Sequence, residues 1–269
     1  MNTITSRDNP KLKHARKVRD GKTRDEIFAE GFRLAEEVLR SSVEINLAFM
    51  SSGFGRDERE TELVRNLENR GAALYTVDDK LFQSIADTKN SQGMVLICRR
   101  PDTSFSHFAK RKSEKNGNLT IFLNRINNPS NLGAILRTVE AAGVDGAIVS
   151  NNSADVFSSK ALRASMGSAL RVNICEDAEF DDVISWAREN GLKTTAADIG
   201  ASKVYTKVDW NKPRLLVFGS EAEGLNDDEI AKIDEPIKIP MDNDVESLNL
   251  AVSCGIILFE AKRQRSSID

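Results

Sequence analysis

The chain has 269 residues, 40% of them hydrophobic, 29% charged and 6% aromatic, with a formal net charge of −3. That length allows one large domain or two modest ones, each with its own core. The composition excludes collagen-like, disulfide-stapled and disordered chains, and no apolar run is long enough for a membrane helix.

Charge is uneven. Residues 7–24 hold eight Lys/Arg against two acids, a local +6, which leaves about −9 for the rest. A basic arm on an acidic body can neutralise phosphates, although the segment taken alone reads first as a solvated amphipathic helix. The start of the chain lacks the apolar stretch of a secretory signal. Next, Glu30 to Leu39 (EGFRLAEEVL) has helical spacing, while INLAFMS, AALYTV and GMVLICR are short apolar runs bounded by turn residues and read as strands. Periodicity vanishes between Pro101 and Asn118, where polar and charged residues with Pro and Gly read as a linker. From Leu119 a second alternation begins, with strands expected near 119–124, 146–149, 172–175, 193–197, 214–218 and 237–240 and helical patterns between most of them. Such repetition predicts an α/β domain with a mainly parallel sheet. The domains are therefore residues 1–100, a linker at 101–118, and 119–269.

Cys98, Cys175 and Cys254 lie far apart inside apolar runs, so they read as reduced core thiols of a cytoplasmic protein, with no metal spacing. His14 and His107 sit in polar surroundings and suggest no ligand role.

Ligand sites in parallel α/β sheets lie at the carboxyl ends of strands. No dinucleotide fingerprint or P-loop follows any strand here. Three other loops stand out. After 119–124, Asn127, Asn128, Pro129 and Ser130 form a turn, and a helix is expected from about Asn131. Leu132, Ile135, Leu136 and Val139 share its buried stripe, which turns Arg137 away from the core. After RLLVF, Gly219 permits a close backbone approach and Glu221 follows two residues later. After Ile239-Pro240, a polar loop precedes a long helix expected from about Ser247, whose apolar face packs on the core or on a second subunit.

In this order, N-P-x-N-x-G-A-x-x-R, L-x-x-F-G-S-E-x-x-G-L and I-P-M-x(5)-S-L-N-x-A-V closely resemble the three motifs of the SpoU/TrmH branch of the SPOUT methyltransferases. The resemblance spans about 150 residues, 119–269, and includes the intervening SSKALRASMGSALRV. The N-terminal part is similar to the substrate-binding domain that precedes many such catalytic domains, itself like a small RNA-binding ribosomal protein. The resemblance implies an RNA 2′-O-ribose methyltransferase using S-adenosyl-L-methionine, with a trefoil-knotted catalytic domain and a homodimer through the C-terminal helix. It places Gly219, Ile239 and Leu248 at the cofactor and makes Asn131, Arg137, Glu221, Ser247 and Asn249 the polar active-site set. Lys11, Lys13, Arg16, Lys17 and Arg163 are then the expected RNA contacts, with ribosomal RNA the favoured substrate and no metal or membrane involved. Many relatives have glycine where Asn243 stands; asparagine tolerates positive φ better than most residues. The alternatives are a catalytically inactive ribosome-assembly factor of the same fold, a transfer-RNA ribose methyltransferase, and a base methylase of the same superfamily.

Overall fold

The computed structural model describes residues 2–111, 119–243 and 245–266. The chain divides into two compact units, Met1–Pro101 with Val156–Arg171, and Asp102–Asp155 with Val172–Asp269.

The first unit is built on β1 (Asn2–Ile4), β2 (Glu26–Glu30), β3 (Ile45–Ser51), β4 (Ala73–Val77) and β5 (Met94–Arg99). Their order is β1-β4-β3-β5-β2, parallel on the β1 side and antiparallel where β5 pairs with β3 and β2. The helices that connect these strands are α1 (Pro10–Arg19), α2 (Phe32–Arg40), α3 (Glu58–Asn69) and the single turn α4 (Asp79–Phe82). The basic arm is α1. Asn9 caps it by accepting the Lys11 N–H at 2.9 Å, and Pro10 occupies the first turn, where no N–H is needed. Leu12, Ala15 and Val18 follow at helical spacing and join the core around Phe28, Phe49 and Val95. The segment is thus neither an arm nor fully solvated; it is docked by one face.

One boundary departs from expectation. The helical pattern of EGFRLAEEVL begins at Phe32, because Glu30 ends β2 and Gly31 turns the chain at φ 102°. The Glu30 carboxylate is buried yet satisfied, accepting the Asp87 and Thr88 N–H groups at 2.8 and 3.1 Å and the Thr88 hydroxyl at 2.6 Å.

The second unit opens with α5 (Phe105–Arg111), inside the stretch expected as linker. Its Phe105 and Phe108 rings pack edge-on against Trp186, 5.5 and 5.9 Å between centroids. Residues 112–118 of that expected linker lie outside the described residues. Then come β6 (Leu119–Leu123), α6 (Pro129–Ala142), β7 (Gly146–Ser150) and α7 (Ser159–Ser165), the last belonging to the first unit. The chain continues through β8 (Ile174–Ala178), α8 (Phe180–Glu189), β9 (Lys193–Ala197), β10 (Lys203–Val204), β11 (Arg214–Phe218), α9 (Asp227–Ile230), β12 (Glu235–Lys238) and α10 (Leu250–Ser266). The seven strands run β10-β12-β9-β11-β6-β7-β8, and each pairing is parallel. Strands buried on both faces read as continuous apolar runs, which is why LTIFL and RLLVF were visible. Among the described residues no helix is long and apolar enough to cross a membrane.

At the opposite end of the strands from the loops of interest, Arg214 is 3% exposed at the start of β11. Its guanidinium donates to Glu235 Oε2 at 2.6 Å and Thr195 Oγ1 at 2.8 Å, while Lys193 and Lys203 reach Glu235 Oε1 at 3.1 and 2.6 Å. Burial works against ionising Glu235, but the hydrogen bonds from Lys203 and Lys193 and the Arg214 charge prevail, holding its carboxyl at about 2. A carboxyl depressed in the folded state stabilises it fully above the ordinary value and loses that contribution as pH falls toward the folded value. Stability should therefore decline between about pH 5 and 2 by on the order of 3 kcal/mol from this group. Urea titrations of wild type and Glu235→Gln across that range check it: the variant's curve should be the flatter one.

Candidate active site

Three loops meet at the carboxyl ends of β6, β11 and β12. The first, residues 124–128, leads into α6. Asn128 caps that helix by accepting the Ser130 N–H at 2.9 Å, and Pro129 starts it two residues before the expected position. The second loop, after β11, is pinched: Ser220 and Gly224 exchange N–H···O bonds of 3.1 and 3.0 Å. A Cβ on Gly219 would lie 2.1 Å from the Gly224 carbonyl carbon and 2.3 Å from the Leu225 nitrogen, so only glycine fits. The third loop runs from Ile239 to Asn249, and α10 begins at Leu250, three residues later than expected. Asn249 accepts the Ala251 N–H at 2.9 Å in capping fashion. Asn243 sits at φ 57°, the left-handed conformation that suits glycine or asparagine.

Glu221 ties the loops together. Its carboxylate accepts the Asn127 and Asn128 N–H groups at 3.1 Å each and the Asn131 side-chain amide at 3.2 Å. Asn131 in turn accepts the Asn249 amide at 3.2 Å. One hydrogen-bonded line thus runs from the second loop through the first to the third. Partial burial disfavours the Glu221 anion, but the donors from Asn127, its own backbone, Asn131 and Asn128 outweigh it and keep the carboxyl below its ordinary value. It is an anion at neutral pH, already committed to the loop before any ligand.

Beside this line lies a cleft of about 140 Å³ lined by Gly219, Ile239, Ser247 and Leu248, with Phe218, Ile237 and Met241 adding apolar wall and Asp198 and Glu246 adding carboxylates. Of the residues singled out in the sequence, the structure gathers Asn131, Glu221 and Asn249 into one network and Gly219, Ile239, Ser247 and Leu248 into one cleft. Arg137 stands apart: it is exposed on α6 and makes no hydrogen bond or ion pair among the described residues. Six residues beyond Asn131, it lies about 9 Å further along the helix.

Helices α6 and α10 pack side by side and parallel. Asn249 meets Asn131, Gly255 faces Thr138, and the Lys262 ammonium donates to the Ala141 carbonyl at 2.8 Å. Cys254, Ile257, Leu258 and Ala261 are buried, but Val252 and Phe259 are each 50% exposed.

The basic residues of the first unit are partly engaged. Lys11 lies 4.8 Å from the Tyr75 ring centroid, and Lys13 pairs with Asp8 at 2.9 Å. Arg16 donates to Ser84 Oγ at 3.1 Å and the Arg7 carbonyl at 3.0 Å, and Arg163 pairs with Asp87 at 2.8 Å. Lys17 is exposed on α1.

A cluster beneath the loops went unseen in the sequence. Arg125, at φ 59°, forms a two-pronged ion pair with the buried Glu229, which also accepts the Asn124 amide at 2.9 Å and the Asn226 N–H at 2.9 Å. Asn226 and Glu229 form a reciprocal capping box on α9. The N-x-x-E spacing was a legible signal for that half; nothing local marks Arg125.

The SpoU rRNA Methylase family model matches residues 118–259. The chain belongs to that family. A model of the MRM3-like substrate binding domain matches residues 9–96. A Synechocystis protein named as a tRNA/rRNA methyltransferase is 29% identical over 266 residues, covering 98% of this chain and 94% of its own. The 23S rRNA (guanosine(2553)-2′-O)-methyltransferase of Bacillus subtilis is 24% identical, covering 97% and 100%. The structure of an AdoMet-bound rRNA methyltransferase from Sinorhizobium meliloti superposes with a TM-score of 0.84 at 29% identity, covering 97% of each chain.

Because the Gly219 position has no room for a side chain, Gly219→Ala should cost about 1–3 kcal/mol through backbone displacement. That corresponds to a melting temperature lower by roughly 2–10 °C for a unit of this size, read by differential scanning fluorimetry.

Proposed function

We propose that this family member is an S-adenosyl-L-methionine-dependent RNA 2′-O-ribose methyltransferase acting on ribosomal RNA. The observation that carries the reading is the Glu221–Asn131–Asn249 line bordering a glycine-floored cleft at the carboxyl ends of parallel strands. The cleft suits the cofactor chemically. Ile239, Met241 and Leu248 offer apolar wall for an adenine, Gly219 admits close backbone approach, and the Glu246 and Asp198 carboxylates favour a cation. S-Adenosylmethionine supplies, when bound, a methyl group on a sulfonium sulfur that is already a good electrophile. A ribose hydroxyl is a poor nucleophile, so the protein's task is to orient it and stabilise charge as its proton leaves.

Asn131 and Asn249, each held by a neighbour, present fixed amides to a nucleotide, and Glu221 holds the two loops in register. Ser247 adds a hydroxyl at the cleft. A guanidinium offers five donors and no acceptor, so the role of Arg137 is to grip the target phosphate and stabilise negative charge developing on the ribose oxygen, not to remove the proton. Its distance from the carboxamide line in one chain fits a site completed in a homodimer. The half-exposed Val252 and Phe259 of α10 supply apolar surface for that association. The insertion of β12 between β10 and β9 is compatible with a trefoil knot. The first unit, residues 1–100 with Val156–Arg171, acts as the RNA-binding part, and the second, residues 119–155 and 172–269 with α5 docked on it, as the catalytic part. Three buried thiols, pushed up in pKa by burial, suit a reducing cytoplasm.

The reading is tested with radiolabelled S-adenosylmethionine and unmodified ribosomal or transfer RNA. Label should enter ribosomal RNA in an alkali-stable form, because 2′-O-methylation blocks cleavage of the adjacent bond. Arg137→Ala should lower turnover about 10²- to 10³-fold with cofactor affinity unchanged, by analogy with loss of one oxyanion donor. Arg137→Lys keeps the charge but loses the two-pronged fork, and wild-type turnover in that variant would remove the proposed role.

RNA affinity is expected to depend on α1. Arg16 braces the loop at Ser84, so the informative replacements are Lys11, Lys13 and Lys17 to Gln, with Arg16 and Arg163 changed separately. Each lost phosphate contact should flatten the slope of log affinity against log salt by roughly 0.7–0.9. Filter binding at several salt concentrations measures it.

A further inference from the structure

The first unit contains a cleft of about 660 Å³ lined by residues of that unit alone. It opens where β3 ends, between the start of α2 and the turn that precedes β5. Two aromatic rings stand at it, Phe32 and Phe54, their centroids 6.3 Å apart and both partly exposed. Phe32 is steadied from one side by Arg59, whose guanidinium lies 5.1 Å from the ring centroid and pairs with Glu36 at 3.1 Å.

The polar groups are unusual in being left open. Ser91 is only 5% exposed, lines the cleft, and its hydroxyl has no hydrogen-bond partner among the described residues. The residue is buried but its hydroxyl oxygen is open to the cleft, so it offers an entering ligand a donor and an acceptor fixed in place. Gln92 uses its amide oxygen to accept the Phe32 N–H at 3.0 Å, which leaves its amide nitrogen to donate elsewhere. Gln92 holds φ 53° and Gly93 φ 69°, two successive left-handed residues. A Cβ on Gly93 would stand 2.6 Å from Ser51 Oγ and 3.2 Å from the Phe54 ring, so the glycine lets the turn close against that ring. Together they make the tight turn that leads into β5 and hold Ser91 and Gln92 at the cleft.

The rim decides the ligand class. Asp57, Glu60 and Asp79 all border the cleft. Asp79 accepts the Ser52 hydroxyl at 2.9 Å, and Glu60 accepts the Gly55 and Arg56 N–H groups at 2.8 and 3.0 Å, so both are held in place. Three carboxylates repel a phosphate but accept from N–H groups. Aromatic rings, N–H and O–H donors and carboxylate acceptors together describe a neutral, flat heterocycle with both kinds of edge. Guanine meets that description: N1–H and N2–H₂ for a carboxylate, O6 and N7 for Ser91 and Gln92.

We propose that this cleft holds one unstacked guanine base of the RNA substrate, distinct from the nucleotide that is methylated. The assignment rests on the RNA-methyltransferase reading and adds to it a base-specific foothold. Single-stranded bases splayed onto aromatic side chains are the common route to sequence-specific RNA recognition.

The test uses the full-length protein with S-adenosylhomocysteine present, so that the second unit's cleft is filled, and follows amide NMR shifts on addition of each of the four nucleosides. Guanosine should bind saturably, shift residues around Phe54 and Gln92, and bind several-fold more tightly than adenosine, cytidine or uridine. Phe54→Ala should weaken it by about 5- to 150-fold, the effect of losing one base–aromatic stack, while Phe54→Tyr retains it. Asp79→Asn should erase the preference for guanosine. A short single-stranded RNA with one central guanosine should bind at least as tightly as the nucleoside; weaker binding would overturn an RNA source in favour of a free nucleoside. No saturable guanosine binding, equal binding of all four, or an unaffected Phe54→Ala variant would each overturn the proposal. Calorimetry with S-adenosylmethionine separates the two failures: cofactor binding without guanosine binding removes only the base pocket, whereas loss of both reaches the methyltransferase reading itself.

Discussion

The carboxylate of Glu221 is the contact on which the second unit's functional face depends. It sits on a loop that a pinched Ser220–Gly224 turn already rigidifies, and it takes up two successive backbone N–H groups where α6 is about to begin. Those groups need an acceptor at a helix start, and an anion is the acceptor that the local field favours. Through the Asn131 amide the same carboxylate orients Asn249 and hence the entry to α10. Three segments distant in sequence are thereby brought to one geometry without a ligand. Below them the Arg125–Glu229 pair does similar work from the buried side, joining the loop after β6 to the helix that follows the second loop. Its position is consistent with a general pattern in which functional groups are held by a supporting shell.

Most of the fold was legible because its signals are local. Runs such as LTIFL, GAIVS and RLLVF are apolar at each position or nearly so, which only a strand covered on both faces tolerates. The three site loops were legible as a set, through glycine, proline and asparagine at places where backbone geometry restricts the choice. What escaped was decided at a distance. Glu30 continues a helical pattern but is claimed by β2, since the turn at Asp87 and Thr88 supplies donors for its carboxylate. Phe105 and Phe108 look like stray aromatics in a polar linker until Trp186, nearly eighty residues on, gives them a surface. Arg125 carries no pattern, because its partner is a helix-cap glutamate from another loop.

The polar site residues divide in a similar way. Asn131, Glu221 and Asn249 satisfy one another within a single chain, so their grouping follows from folding alone. Arg137 does not: it projects from the exposed face of α6 with no partner among the described residues. A cation left uncommitted beside an otherwise interlocked network is suited to a group that arrives from outside, and a phosphate is the group whose geometry its fork matches.

The strand order of the second sheet also governs when the site can exist. The central pair joins β6 to β11, whose partners Leu119 and Arg214 are almost a hundred residues apart, and β12 must enter between β10 and β9. Pairings this remote carry a large loop-closure entropy and form slowly. Both Asn249 and α10 follow β12 in the chain. A nascent polypeptide can therefore complete the first unit's sheet early, whereas the network around Glu221 closes only once Asn249 has been made. Competence for the proposed chemistry waits for β12 and Asn249, and a product truncated before them would keep the N-terminal sheet without acquiring the site.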